Sequence, residues 1–261
     1  MEYEEARLQQ YINGLLGQRA APRVLEAGCG DHSYLTLPER AHIVGADISE
    51  EQLLKNSSVQ EKILADIQTY VWPSASFDLI ICWWVLEHLS MPEMALEKFV
   101  RAIKEDGFIV LAVPNVLSVK GLITKYTPHW FHVWVYKSLY GIKLAGSPGV
   151  PPFRTFLRFA ISPLSLKRFA AANGLSVVYF RLFESEGTTR FRQQHSAINL
   201  ALWMARLAIK ALTLGRIDAG QTECIIVLQK PKDARKINAR WPRPVGHVRQ
   251  STRRVRPAAQ H

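Results

Sequence analysis

The residues with the clearest chemical potential are Gly28-Cys29-Gly30, which close the segment RVLEAGCG at residues 23–30. Two glycines one residue apart reach backbone angles closed to other residues, and they let a ligand approach the main chain without meeting a Cβ. A short helix expected over residues 31–37 would aim its free N–H groups at whatever sits over the bend. Strand-Gly-x-Gly turns are common, so the bend alone says little. Its weight rises with Asp47, which ends the next apolar run, HIVGADIS, at the spacing of a carboxylate that receives ribose hydroxyls.

The elements that must position these groups alternate in type. Apolar strands are expected at 23–27, 42–46, 62–65 (ending in Asp66), 77–82 and 108–113 (closed by Pro114-Asn115). Ser49 starts a helix with Gln52 three residues on, as in a capping box. The apolar spacing at 92–104 predicts another helix, ended by Asp106-Gly107. Further on come a helix at 163–173, capped by Ser162 and ended by Gly174, and strands at 176–183 and 223–229. Residues 1–17 form an amphipathic helix through Leu8, Tyr11, Ile12 and Leu15, expected to pack on the sheet edge or cap the ligand. This alternation implies an α/β, Rossmann-like, doubly wound sheet of seven strands, which binds ligands at its C-terminal strand ends. Gly28–Gly30, Asp47, Asp66, Cys82–Trp84 and Pro114-Asn115 all fall on that rim.

The rest of the chain is less regular. Residues 116–159 form an aromatic insertion, expected as a lid, with Tyr126, Trp130, Phe131, Trp134 and Tyr136. A second insertion, 185–221, carries the apolar stretch 197–214. There Asn199, Arg206, Lys210 and Thr213 line one helical face, which suits an interfacial or partner-packed helix better than a membrane span. Residues 1–230 read as one domain, and 231–261 as a basic disordered tail with nine Lys and Arg against one Asp. Most of the formal net charge of +11 therefore belongs to the tail, a solvated segment that could also touch anionic lipid or nucleic acid. Cys29, Cys82 and Cys224 are odd in number and widely spaced, which argues against disulfides or zinc and for a reducing, cytoplasmic setting, peripheral to a membrane if the apolar helix is interfacial. The N-terminal stretch is acidic and then amphipathic, unlike a signal peptide.

In order and spacing, VLEAGCG, IVGADIS, ILADIQ, FDLIICWWVLEHL and IKEDGFIVLAVPN resemble the class I S-adenosylmethionine-dependent methyltransferases of the small-molecule and lipid branch, over residues 23–115. Beyond them the likeness is one of fold, with a closing antiparallel pair of strands. The resemblance implies S-adenosyl-L-methionine as cofactor, with Glu26, Gly28 and Gly30 cradling its methionine part and Asp47 taking both ribose hydroxyls. Asp66 would hold the adenine amine, Ile67 the adenine by apolar contact, and Cys82 and Trp83 the sulfonium region, with Ile48 also among the cofactor-binding residues. Glu87 and His88 would face the gap between cofactor and acceptor. One departure stands out: the family often carries a further glycine two residues past Gly30, and this chain has His32 there. The following helix then sits farther off, or His32 reaches the cofactor carboxylate.

Methyl transfer from a sulfonium is an in-line displacement in which the enzyme aligns donor and nucleophile and excludes water. Alignment can supply roughly 7–11 kcal/mol of such a barrier. Trp130, Phe131, Trp134 and Tyr136 would close an apolar pocket, or simply form the insertion's own core. A hydroxyl acceptor needs a base, and His88, His129, His132 and Glu87 are the candidates, each with a structural role as the alternative. His129 and His132 lack a third ligand, so no metal is expected. CWWV stands where amino-methylating nucleic-acid enzymes carry a polar-Pro-Pro-aromatic signature, so a nucleic-acid partner is not expected. The leading reading is a methyltransferase for a small or lipid-linked acceptor, through a hydroxyl. The rival is a non-catalytic, membrane-binding scaffold of the same fold. A nicotinamide dehydrogenase is weaker, because position 33 is Ser rather than Gly.

Overall fold

The computed structural model describes residues 2–147 and 150–232. The basic tail beyond Lys232 lies outside the described residues, as do Pro148 and Gly149. Strands β1 (Arg23–Ala27), β2 (His42–Asp47), β3 (Glu61–Leu64), β4 (Phe77–Trp83), β5 (Ile103–Pro114), β6 (Ser176–Phe183) and β7 (Glu223–Gln229) form one sheet in the order 3-2-1-4-5-7-6. β1 to β5 pair in parallel, and β7 runs antiparallel between β5 and β6. The strand order reverses at β1 and β4, and that switch point opens a crevice above the C-terminal ends.

Helices cover both faces, which is why a strand such as β4 is apolar and buried along its whole length. On one face Leu25, Ile80, Ile109 and Ile226 pack with Leu96 and Phe99 of α3 (Pro92–Ala102) and Leu166 of α6 (Pro163–Ala172). On the other, Val24, Leu79, Val110 and Ile225 receive Leu8, Ile12 and Leu16 of α1 (Glu2–Leu16). α1 thus lies on this sheet face and reaches the edge strand β6, where the Tyr11 hydroxyl donates to the Val178 carbonyl at 3.2 Å. The four-residue spacing of its three wholly buried side chains makes one continuous stripe.

Two local expectations are corrected. Residues 31–37 are not a helix. Gln9 of α1 donates to the Thr36 carbonyl at 2.7 Å and accepts the Thr36 N–H at 2.8 Å, so that backbone is satisfied outside any helix. The helix starting at Pro92 stops at Ala102 instead of 104. Its last carbonyls, of Arg101 and Ala102, accept the N–H groups of Ala75 and Ser76, and Ile103 already pairs with Phe77 in the sheet. The helix begun by Ser49, α2, spans Glu50–Lys55.

The two insertions pack together. The first holds α4 (Val119–Tyr126) and α5 (His129–Ser138), the second α7 (Glu186–Gln194) and α8 (Ser196–Leu212). Tyr140, just past α5, stacks on Phe191 of α7 with ring centroids 4.7 Å apart. Glu184, at the end of β6, accepts from Arg192 at 2.6 Å and from Arg206 at 2.7 Å. The polar stripe of α8 is therefore held inward at Arg206, and Leu200, Trp203, Met204 and Leu207 remain 52–58% exposed. Among the described residues, no helix is long and apolar enough to cross a membrane. Trp130 and Trp134 are 70% and 52% exposed and α5 buries no side chain, so these two indoles do not close an apolar pocket.

Candidate active site

The site is built on the bend after β1. Gly28 has φ +75°, and a Cβ there would lie 2.3 Å from the Val85 side chain, so no other residue fits. The bend is tied to β2: the N–H groups of Gly28 and Cys29 donate to the Ala46 carbonyl at 2.7 and 3.1 Å. Asp47 accepts the Gly30 N–H on one carboxylate oxygen at 2.9 Å and the Ser49 N–H on the other at 2.8 Å. Each oxygen keeps a lone pair for a further donor. Asn56, fully buried at the end of α2, donates to the carbonyls of Cys29 and Gly30 at 3.3 and 3.4 Å. Asp66 follows β3, where the Ala65 N–H donates to the Asp47 carbonyl at 2.9 Å. Its carboxylate accepts the Gln68 N–H at 2.8 Å. Ile67 is buried, while Ile48 is 76% exposed. Gly28, Gly30, Asp47, Ile48, Asp66 and Ile67 thus occupy adjoining strand ends.

Glu26 points into this bend with 4% of its surface exposed. One oxygen accepts the Ser33 hydroxyl and the other has no partner. Burial pushes its carboxyl above the usual carboxylate range, against the opposing pull of Ser33 and His32. Beside it a cavity of about 10 Å³ is lined by Glu26, Gly28, His32, Ser33, Tyr34 and Trp83. Tyr34 stacks on Trp83 with centroids 5.7 Å apart, and the exposed His32 ring is held at 2.7 Å by Asp31. Cys82 is wholly buried, and burial followed by the nearby Glu87 raises its thiol. Burial pushes Cys29 and Cys224 up to about 12. These thiols stay protonated and are poor nucleophiles.

Across the crevice the chain leaves β4 through Trp84, a non-glycine residue at φ +56°, into a 3-10 turn at Leu86–His88. Glu87 is 5% exposed with one carboxyl oxygen unpartnered, and burial, with Glu223 adding to it, pushes that carboxyl up to about 8. His88 Nδ1 lies 2.7 Å from the Arg154 carbonyl. A carbonyl only accepts, so Nδ1 carries the proton and the neutral ring offers its lone pair at Nε2. The N–H groups of Phe156 and Leu157 donate to the Glu87 carbonyl at 2.9 and 3.1 Å, hanging the end of the first insertion from this turn. Lys120 of α4 meets the buried Glu223 at 3.3 Å. His129 and His132 are placed elsewhere, in a cavity beside α4 and α5. The Thr127 hydroxyl donates to the Ile123 carbonyl, so His132 Nε2, 3.1 Å from that hydroxyl oxygen, acts as donor.

A methyltransferase-domain family matches residues 1–179, more than half of the chain. This chain is a class I S-adenosylmethionine-dependent methyltransferase by family. The methyltransferase shares 33% identity over 110 residues with a tRNA (carboxymethyluridine(34)-5-O)-methyltransferase of Arabidopsis thaliana, covering 40% of this chain and 27% of that relative. It spans between about a quarter and three-fifths of the length of the curated relatives it matches. In fold it is similar to a SAM-dependent methyltransferase from Archaeoglobus fulgidus, with TM-score 0.50, 21% identity and coverage of 88% of this chain and 94% of that one. It is also similar to phosphoethanolamine N-methyltransferase 2 of Haemonchus contortus in complex with S-adenosyl-L-methionine, with TM-score 0.51, 12% identity and coverage of 87% and 53%. The family's cofactor is S-adenosyl-L-methionine. The residues present fit it: a buried carboxyl oxygen lacks a donor beside a bend that a Cβ would fill.

Several residues of this methyltransferase's site escaped the sequence reading. Ser33 and Tyr34, beneath and over the small cavity, sit in a stretch expected to be helical. Asn56 carries no local signal beyond its place after α2. Lys120 and Glu223 are 103 residues apart, and it takes the β5–β7 pairing, with the Val119 N–H donating to the Ala219 carbonyl, to bring their elements together.

Proposed function

We propose that this protein transfers the methyl group of S-adenosyl-L-methionine to a hydroxyl on a small or lipid-linked acceptor, at a membrane surface. The observation that carries the reading is the partnerless oxygen of Glu26 beside the glycine bend. Such a group costs on the order of 1–3 kcal/mol unless a donor reaches it, and the amino group of the cofactor's methionine end is that donor. The remaining lone pairs of Asp47 suit two ribose hydroxyls. Asp66 suits the adenine amine, Ile48 and Ile67 its faces, and Cys82 and Trp83 the region of the sulfur. The bound cofactor supplies a methyl group already activated by a positive sulfur. The protein's part is alignment, exclusion of water and removal of the hydroxyl proton. Glu87, whose carboxyl burial pushes up to about 8, is the base in its ionised form, and His88 Nε2 is the second candidate. The outward apolar side chains of α8 and the basic charge of residues 231–261 support a peripheral contact with anionic lipid.

Calorimetric titration of the full chain with S-adenosylhomocysteine tests the cofactor site, and saturable heat is expected. Labelled methyl transfer is then compared on a lipid extract, a polar metabolite extract and bulk tRNA. Label in tRNA alone would overturn the acceptor assignment and leave the transferase standing. Binding to vesicles with no heat from the nucleoside would replace the enzyme with the scaffold reading.

A further inference from the structure

A cavity of about 390 Å³ lies between the end of α4, the start of α5 and residues 154–156, joined to the Glu87–His88 turn through those last residues. Its wall carries Lys125, Arg154, His129 and His132, three threonines and one apolar residue, Phe156, with no carboxylate. Lys125 is held in place by the Leu157 carbonyl at 3.1 Å and the Phe159 ring at 4.5 Å, and its ammonium keeps further N–H groups free. Among the described residues the Arg154 guanidinium has no hydrogen bond or ion pair, although the Arg154 backbone carbonyl is held by His88. His132 spends its Nε2 N–H on Thr127, which leaves the ring N–H of His129 as the α5 side-chain donor on this wall. Concave cationic walls concentrate positive potential, which favours a counter-charged guest. Some basic side chains of this fold meet acids, as Arg192 and Arg206 do at Glu184, but among the described residues Lys125 and Arg154 do not.

We infer that this cavity receives a phosphoester anion, a phosphate or diphosphate carried by the acceptor. Donors come from three directions: α4, α5 and the loop at residues 154–156. A tetrahedral oxyanion with several free oxygens uses all three, whereas a planar carboxylate does not. The wall at 154–156 is bonded to the Glu87 carbonyl through the Phe156 N–H and to the His88 ring through the Arg154 carbonyl, so an acceptor anchored there is registered to the turn that carries the proposed base. Its role in catalysis rests on the methyltransferase reading, while the anion site itself does not.

The test is titration of the full chain with pyrophosphate, wild type against Arg154→Glu, with S-adenosylhomocysteine titrated in parallel. Arg154 was chosen because its side chain holds nothing else in the fold. The basic tail is common to both proteins, so only a difference between them reports on the cavity. Saturable binding weakened about tenfold or more by the reversal is expected, with nucleoside affinity unchanged. A second arm uses phosphatidylglycerol vesicles. If these bind in an Arg154-dependent way and pyrophosphate does not, the anion is a lipid headgroup and the site stands. Equal binding of both probes by the two proteins, or no binding of either, overturns it. Loss of nucleoside binding alone would remove the transferase reading and leave the anion site in place.

Discussion

Asp47 does two jobs with one carboxylate, since it fixes the backbone of the bend at Gly30 and faces the proposed ribose position. Asp47→Asn keeps the volume but sets an amide N–H₂ against a backbone donor. Calorimetry should show S-adenosylhomocysteine binding weakened by roughly tenfold to a hundredfold, in line with about 1–3 kcal/mol for an unmet buried polar group. Glu87 gives a pH signature. If its ionised form removes the proton, the transfer rate should climb with pH and level off above about 8, and Glu87→Gln should lie low and flat. The same group affects stability. Its carboxyl is raised in the fold from an ordinary value of 4.5, so the folded chain holds a proton that the unfolded chain releases. Its contribution is present below that ordinary value and is lost as pH rises through about 8. Melting followed at several pH values should show a shallower decline for Glu87→Gln. Asp47 and the glycines were legible because a strand-bend-strand unit fixes their spacing. The unpartnered oxygens of Glu26 and Glu87 were not, because sequence carries no measure of burial.

Among the elements, periodicity located every strand and most helices, since both faces of a covered sheet must be apolar. It failed at residues 31–37, where Gln9, 27 residues before Thr36, decides the backbone. That loop has a functional consequence. The 10 Å³ beside Tyr34 is room for about one water, so on the proposed cofactor placement this loop swings away to admit the methionine end. Tyr34→Ala should speed S-adenosylhomocysteine association several-fold in stopped-flow tryptophan fluorescence, and an unchanged rate would show that the loop does not gate entry. The outward face of α8 makes a separate statement. Because Trp203 and Leu207 are more than half exposed, on the proposed membrane contact replacing both with Glu should weaken co-sedimentation with anionic vesicles and leave the melting temperature nearly unchanged.

For the whole molecule, the sheet is fastened at the end opposite the site by Asp78, which is 7% exposed. It accepts from Arg19, from Lys104 at 2.7 Å and from the Arg23 N–H at 2.9 Å. Burial alone would raise its carboxyl, but Lys104, the Arg23 N–H and Arg19 together hold it below the usual range. Its contribution is therefore present above the ordinary carboxylate pKa and lost as acid takes the pH through the depressed value. That slope is opposite to those of Glu26, Glu87 and Glu223, all raised chiefly by burial. Asp78→Asn should lower the melting temperature and weaken the acid limb of the pH–stability curve, as differential scanning calorimetry would show. The seven-strand order was legible as a fold class, but the packing of the two insertions against each other was not, since Tyr140 and Phe191 share no local pattern. The position of β7 has one more effect, on how the chain comes off the ribosome. Its slot lies between β5 and β6, yet it is made last, 109 residues after β5 ends. Until then β5 shows a bare row of amides and carbonyls, open to pairing with any other nascent strand. The nucleotide-binding half is translated early, but it becomes safe from aggregation only when the final strand slides home.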